Sequence, residues 1–133
     1  MTAAATGILL ATGCSTGPVE QTRSPAATKE LADALAGRVA GAPQRCISNF
    51  PNTHVHVIDD WTIIYDEGST IYVQNPRGGC PGIAHRNRTL VARQVGTSQM
   101  CDGDINEAVD LRTGIGGGPC VFGPFIPYRK TKG

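Results

Sequence analysis

Aromatic residues are scarce, at 5% of the chain, and Trp61 is the single tryptophan. A core with so few large rings is thin, and a domain of this size sits near the edge of what apolar burial alone can hold. No charge of one sign dominates: twelve Lys and Arg against eleven Asp and Glu leave a formal net charge of +1. Nothing in that balance suggests a nucleic-acid or strongly acidic partner. The longest apolar run, Gly7 to Ala11, is far too short to span a bilayer. There is no C-x-x-C pair, which argues against both a zinc knuckle and a thioredoxin-like dithiol. A G-x-S-x-G elbow for a nucleophilic serine is absent as well. Gly114, Gly116 and Gly118 suggest a phosphate loop only superficially. Pro119 stands where the dinucleotide fingerprint needs glycine, no lysine follows as in a P-loop, and no βαβ pattern surrounds them.

Glycine, proline and cysteine are plentiful instead, at 17, 9 and 5 residues, which suits a loop-rich domain held by cross-links. Cys14 stands apart from the other four cysteines. The segment Leu10-Ala11-Thr12-Gly13-Cys14 resembles the lipobox of bacterial lipoprotein signal peptides. It implies removal of residues 1–13 and lipidation of Cys14. Two features depart from the pattern: Ala11 occupies the place usually held by leucine, and no Lys or Arg precedes the apolar run. A start further upstream would supply the missing basic residues. Residues 14–28 are small and polar with Pro18 and Pro25, the composition of a flexible tether. Ser15, rather than Asp, after the lipidated cysteine favours the outer membrane by known sorting rules. Acylation at more than one position is what stable anchoring needs.

With Cys14 lipidated, Cys46, Cys80, Cys101 and Cys120 form an even set, which in a small exported domain reads as a disulfide framework. Four cysteines allow three connectivities, and sequence does not choose among them. The pairing preferred here is Cys80 with Cys101 and Cys46 with Cys120. Each bond would contribute roughly 3–5 kcal/mol by restricting the unfolded chain.

The clearest local signal is Trp61 to Asn75. Thr62 to Tyr65 and Thr70 to Val73 are β-branched and aromatic runs, joined by Asp66-Glu67-Gly68-Ser69. Two such runs around a short Gly-containing loop predict a β-hairpin. With Thr53 to Ile58 they predict a three-stranded antiparallel meander over 53–74, and Trp61 is expected in the core rather than stacked on a ligand. Leu31, Ala34, Leu35 and Val39 fall on one side of a helix expected over 29–41. Further strands are expected at 89–95, at 105–111 with Val109 and Leu111 turned inward, and at 120–125. The stretch 113–118 reads as a flexible connection and 129–133 as a frayed basic tail. The expected fold is mainly β: a small antiparallel sheet or barrel of five to six short strands over 45–128, stapled by disulfides, with one short N-terminal helix. A two-layer sandwich is the alternative.

Three groups carry possible chemistry. His54 and His56 are two apart on an expected strand and so share a face. They are the candidate metal ligands, with Asp59, Asp60 or His85 as further donors. The plainer reading is a solvated stripe opposite Val55 and Val57. Asp102, Asp104 and Asn106 begin like a calcium loop, but Glu107 and Thr113 stand where the pattern requires Gly and Glu, so a turn is expected. Arg86, Arg88 and Arg93 form a loose basic cluster, either a solvated face or a contact for an anionic glycan or lipid headgroup.

Five segments together resemble an uncharacterised family of small, mostly proteobacterial envelope proteins, often lipoproteins. They are Arg45-Cys46-Ile47, the hairpin start Val57 to Tyr65, the loop Cys80 to Ile83, the segment Gln99 to Asp104, and Cys120 to Phe125. The likeness covers about residues 45–127. It implies a small periplasmic domain and carries over no activity and no catalytic residue. The function expected is that of a lipid-anchored envelope protein facing the periplasm. It would be a binding or scaffolding module rather than an enzyme, with no cofactor, and an envelope protein or glycan as partner. The alternative is a small metal-binding or metal-dependent envelope enzyme using His54 and His56.

Overall fold

The structure, a computed structural model, describes residues 23–48, 53–92 and 98–131. Cys14, the signal peptide, most of the tether and Arg93 lie outside the described residues. One helix, α1 (Pro25–Leu35), precedes ten strands: β1 (Arg38–Ala40), β2 (Cys46–Ser48), β3 (His54–Asp59), β4 (Thr62–Asp66), β5 (Thr70–Gln74), β6 (Arg88–Ala92), β7 (Gln99–Cys101), β8 (Ile105–Asp110), β9 (Gly116–Val121) and β10 (Phe125–Lys130). All strand pairs are antiparallel. They make a five-stranded sheet in the order β1-β10-β5-β4-β3, a three-stranded sheet β6-β8-β9 and a two-stranded ribbon β2-β7. The mainly β class with one helix and two disulfides is therefore what the chain adopts. Among the described residues the strands number ten rather than five or six.

The helix begins earlier and ends sooner than its periodicity predicts. Ser24 caps it by accepting a hydrogen bond from the Ala27 N–H, and Pro25 occupies the first turn, where its missing N–H costs nothing. Gly37 turns the chain with φ of +70°. Residues 38–40 then find backbone partners along β10, so Val39 is exposed on a strand instead of buried on the helix. Ala27, Leu31, Ala34 and Leu35 pack with Ile58, Ile64, Ile71 and Tyr128 on one face of the large sheet.

The hairpin forms as predicted, with β4 and β5 paired and β3 completing the meander. The Asp66 carboxylate accepts from the Gly68 N–H at 2.7 Å, and Gly68 adopts φ of +86°. On the face away from α1, Ile63, Tyr65, Tyr72 and Phe125 of the large sheet meet Ala108 and Cys120 of the small sheet. Ile47 and Met100 of the ribbon and the loop residues Cys80, Ile83 and Phe122 close this core.

Both disulfides differ from the preferred pairing. Cys46 joins Cys101, and Cys80 joins Cys120. The β2–β7 register sets Cys46 directly opposite Cys101. Arg77 bridges to Val121, which draws the Cys80 loop onto β9 beside Cys120.

The C-terminal third corrects three more expectations. Residues 116–121 form β9 and are not a loose connection. The segment after the Gly123-Pro124 break is a full strand through Lys130 and not a frayed tail. On β8 the inward residues are Asn106 and Ala108; Leu111 lies past the strand end and is 68% exposed.

The break between β9 and β10 is held by one buried side chain. Gln74 donates to the Gly123 carbonyl at 2.9 Å and accepts from the Gly123 N–H at 2.7 Å. Gln74→Met would leave both backbone groups buried and unpaired, so it should destabilise the fold by about 2–3 kcal/mol. Urea unfolding of the two proteins measures this.

Candidate functional site

The edges of the two larger sheets create a cleft. β3 borders the five-stranded sheet and β6 borders the three-stranded one, and among the described residues neither outer edge pairs with another strand. The cleft between them has a volume of about 320 Å³. Val55 and Val57 form one wall and Leu90 of β6 the other, with Met100, Phe122 and Tyr65 at its floor. Alternation explains the walls: Val55 pairs with Tyr65 and Val57 with Ile63, so both valines face the core side of the sheet. Val55 is nonetheless 55% exposed, because no strand covers it.

Arg88, Asn106 and Tyr65 offer donors in this cleft. Arg88 shares its strand face with Leu90 and Ala92, the inner face. Its guanidinium lies against Gly82 and Gly117, where an added Cβ would come within 2.6 and 2.5 Å of Nη1. Only glycine leaves it that room. Arg88 has no ion-pair or hydrogen-bond partner among the described residues. Asn106 lies opposite Ala92 and Cys120, so its side chain also points inward. It is 2% exposed, and its Nδ2 has no hydrogen-bond partner. A buried amide N–H without an acceptor is costly. Burial pushes the Tyr65 phenol well above its ordinary value, so it keeps its proton and remains a donor.

The residues singled out from sequence are distributed differently. His54 and His56 do share a face, the one bearing α1, and both are exposed. His56 Nε2 contacts Glu30 of the helix. Among the described residues no group of three or more His, Cys, Asp or Glu side chains is arranged to hold a metal. Asp59 and Asp60 are occupied structurally. Asp59 accepts from Arg23 at 2.8 Å and from the Trp61 N–H at 2.8 Å. Asp60 accepts from the N–H groups of Gly82 and Ala84, each at 3.0 Å, and so pins the loop after Cys80.

Trp61 is not in the core. It is half-buried against Gly79 and lines a shallow open pocket with Arg23, Asp59, Asp60 and His85. The expectation failed because Trp61 precedes β4 in the turn, where its ring covers the loop and does not enter the sheet. Asp102 and Gly103 form the expected turn, with Asp104 N–H donating to the Cys101 carbonyl at 3.0 Å and Asp102 paired to Arg77 at 2.7 Å. Arg86 is exposed in the turn before β6, so it does not extend the face of Arg88.

Arg88 and Asn106 were both singled out from sequence, but in unrelated roles; their meeting with Val55 and Val57 was not visible there. No local signal pointed to it: the alternation along 105–111 favours Val109 and Leu111 as the inward residues, whereas the structure buries Asn106 and Ala108. No protein-family model, curated protein or solved structure matches the chain.

Proposed function

We propose that the chain is the head of a lipid-anchored envelope protein that acts by binding another envelope component. It is tethered through Cys14 to the outer membrane and faces the periplasm. The observation that carries this reading is the Cys80–Cys120 disulfide, whose two residues are 0% exposed within the core. A small domain built around such a bond belongs in an oxidising compartment. The lipobox-like start and the likeness to small four-cysteine envelope proteins supply the anchor. The inter-sheet cleft, apolar and lined with unanswered donors, supplies a place to bind.

The test is membrane fractionation with the intact mass of the native chain, measured before and after reduction. The expected result is a chain beginning at Cys14, carrying a lipid adduct and gaining about four hydrogens on reduction. An unmodified chain in the cytosol, with freely reactive thiols, would overturn the reading.

A further inference from the structure

We propose that the cleft between β3 and β6 receives an extended, apolar peptide ending in a free carboxylate, added as a strand to the outer edge of β3. The proposal rests on the binding-module reading and deepens it by naming the chemistry of the partner.

Four observations converge on a peptide. First, the outer edge of β3, His54–Asp59, has no Lys or Pro to discourage pairing, and the register shift between Val57 and Asp59 leaves His54–Val57 as its regular run. Natural edges usually carry such protection, and an open edge is what strand addition uses. Second, the side chains beside that edge are apolar. Val55 and Val57 on β3 and Leu90 on β6 would take alternate side chains of an added strand. The helix α1 packs on the opposite face of the sheet and leaves this side open. Third, Arg88 lines the cleft and makes no ion pair among the described residues, although Asp110 stands opposite it on β8 and its guanidinium rests against Gly82 and Gly117. A terminal carboxylate suits a guanidinium in two-pronged contact. Fourth, the buried Nδ2 of Asn106 lacks an acceptor. Arg88 and the Asn106 position lie at opposite ends of β6, four residues apart, or about 13 Å by strand rise. A ligand with one polar end would answer only one of them. A peptide carries a carbonyl at every residue, so it can place its carboxylate on Arg88 and an internal carbonyl on Asn106.

The experiment uses the full, oxidised chain. The probe is a short fluorescein-labelled peptide of alternating valine and serine, with a free C-terminal carboxylate. The control is the same peptide with an amidated C-terminus. Fluorescence anisotropy should show saturable binding of the acid, with the amide about tenfold weaker. In Arg88→Met the acid should fall to the affinity of the amide. Asn106→Leu gives a sharper test, because it should raise the melting temperature of the free protein while weakening both peptides. A purely structural asparagine would not move those two readouts in opposite directions. Hydrogen exchange should slow at backbone amides of β3 when the acid is bound. Equal affinity for acid and amide, or no binding of the peptide, overturns the proposal. So does binding without protection of β3. None of these results bears on the lipid or the disulfides of the native chain, so the envelope assignment stands or falls separately.

Discussion

Replacing Cys80 and Cys120 together with alanine should cost the domain about 4 kcal/mol from the freed unfolded chain alone. That is a large part of the stability a domain of this size possesses. The bond joins residues 40 apart in sequence, whereas Cys46–Cys101 joins residues 55 apart. Loop closure by itself makes the longer link slightly the stronger one. Burial reverses the order. Cys80 and Cys120 are fully enclosed, while Cys46 and Cys101 are half-buried at the end of the ribbon. Losing the inner pair also opens space among Phe122, Tyr65 and Ile83, which adds about 1 kcal/mol. Urea unfolding of the two double variants should therefore rank the inner pair as the more damaging loss. The opposite ranking would mean that chain entropy alone sets the contribution of each bond.

Phe125→Ala should be comparably severe, at about 4 kcal/mol. Phe125 is fully buried and forms a triangle of edge-to-face contacts with Tyr65 and Phe122, the ring centres 5.7 to 6.2 Å apart. The chain has few aromatic residues, and three of them meet here. Phe125 is also the first residue of β10, and its N–H donates to the Gln44 carbonyl at 2.9 Å. A cavity at this point loosens both the floor of the cleft and β10, an interior strand of the large sheet. A shift in urea midpoint with an unchanged slope identifies a loss of stability alone. A change below about 1 kcal/mol would mean that the surrounding side chains collapse into the space.

What the sequence revealed depended on range. The β4–β5 hairpin was legible because its signal is local: β-branched runs flank a loop whose Gly68 takes positive φ. The ends of α1 were misplaced because Leu31 and Val39 obey helical spacing equally well, whereas tertiary pairing with β10 claims Val39. β9 was hidden because glycines at 116–118 carry no strand preference; its pairing with β8 holds it in place. The disulfide pairing was illegible for a different reason. It follows from which strands lie opposite one another, and the β2–β7 register joins segments more than fifty residues apart. The cleft is the extreme case, since Val55, Arg88 and Asn106 come from three strands in two sheets. Each residue was noticed for itself. No spacing rule could have set them around one space.

Tryptic mapping of the native, unreduced protein tests the central claim most directly. Cleavage after arginine puts Cys46, Cys80, Cys101 and Cys120 in four separate peptides, spanning 46–77, 78–86, 94–112 and 113–129. A disulfide-stapled envelope module with this fold yields two linked pairs, 46–77 with 94–112 and 78–86 with 113–129, and no free thiol on those four cysteines. Peptides recovered unlinked, or 46–77 joined to 78–86 or 113–129, would contradict the arrangement of sheets from which the core and the cleft follow.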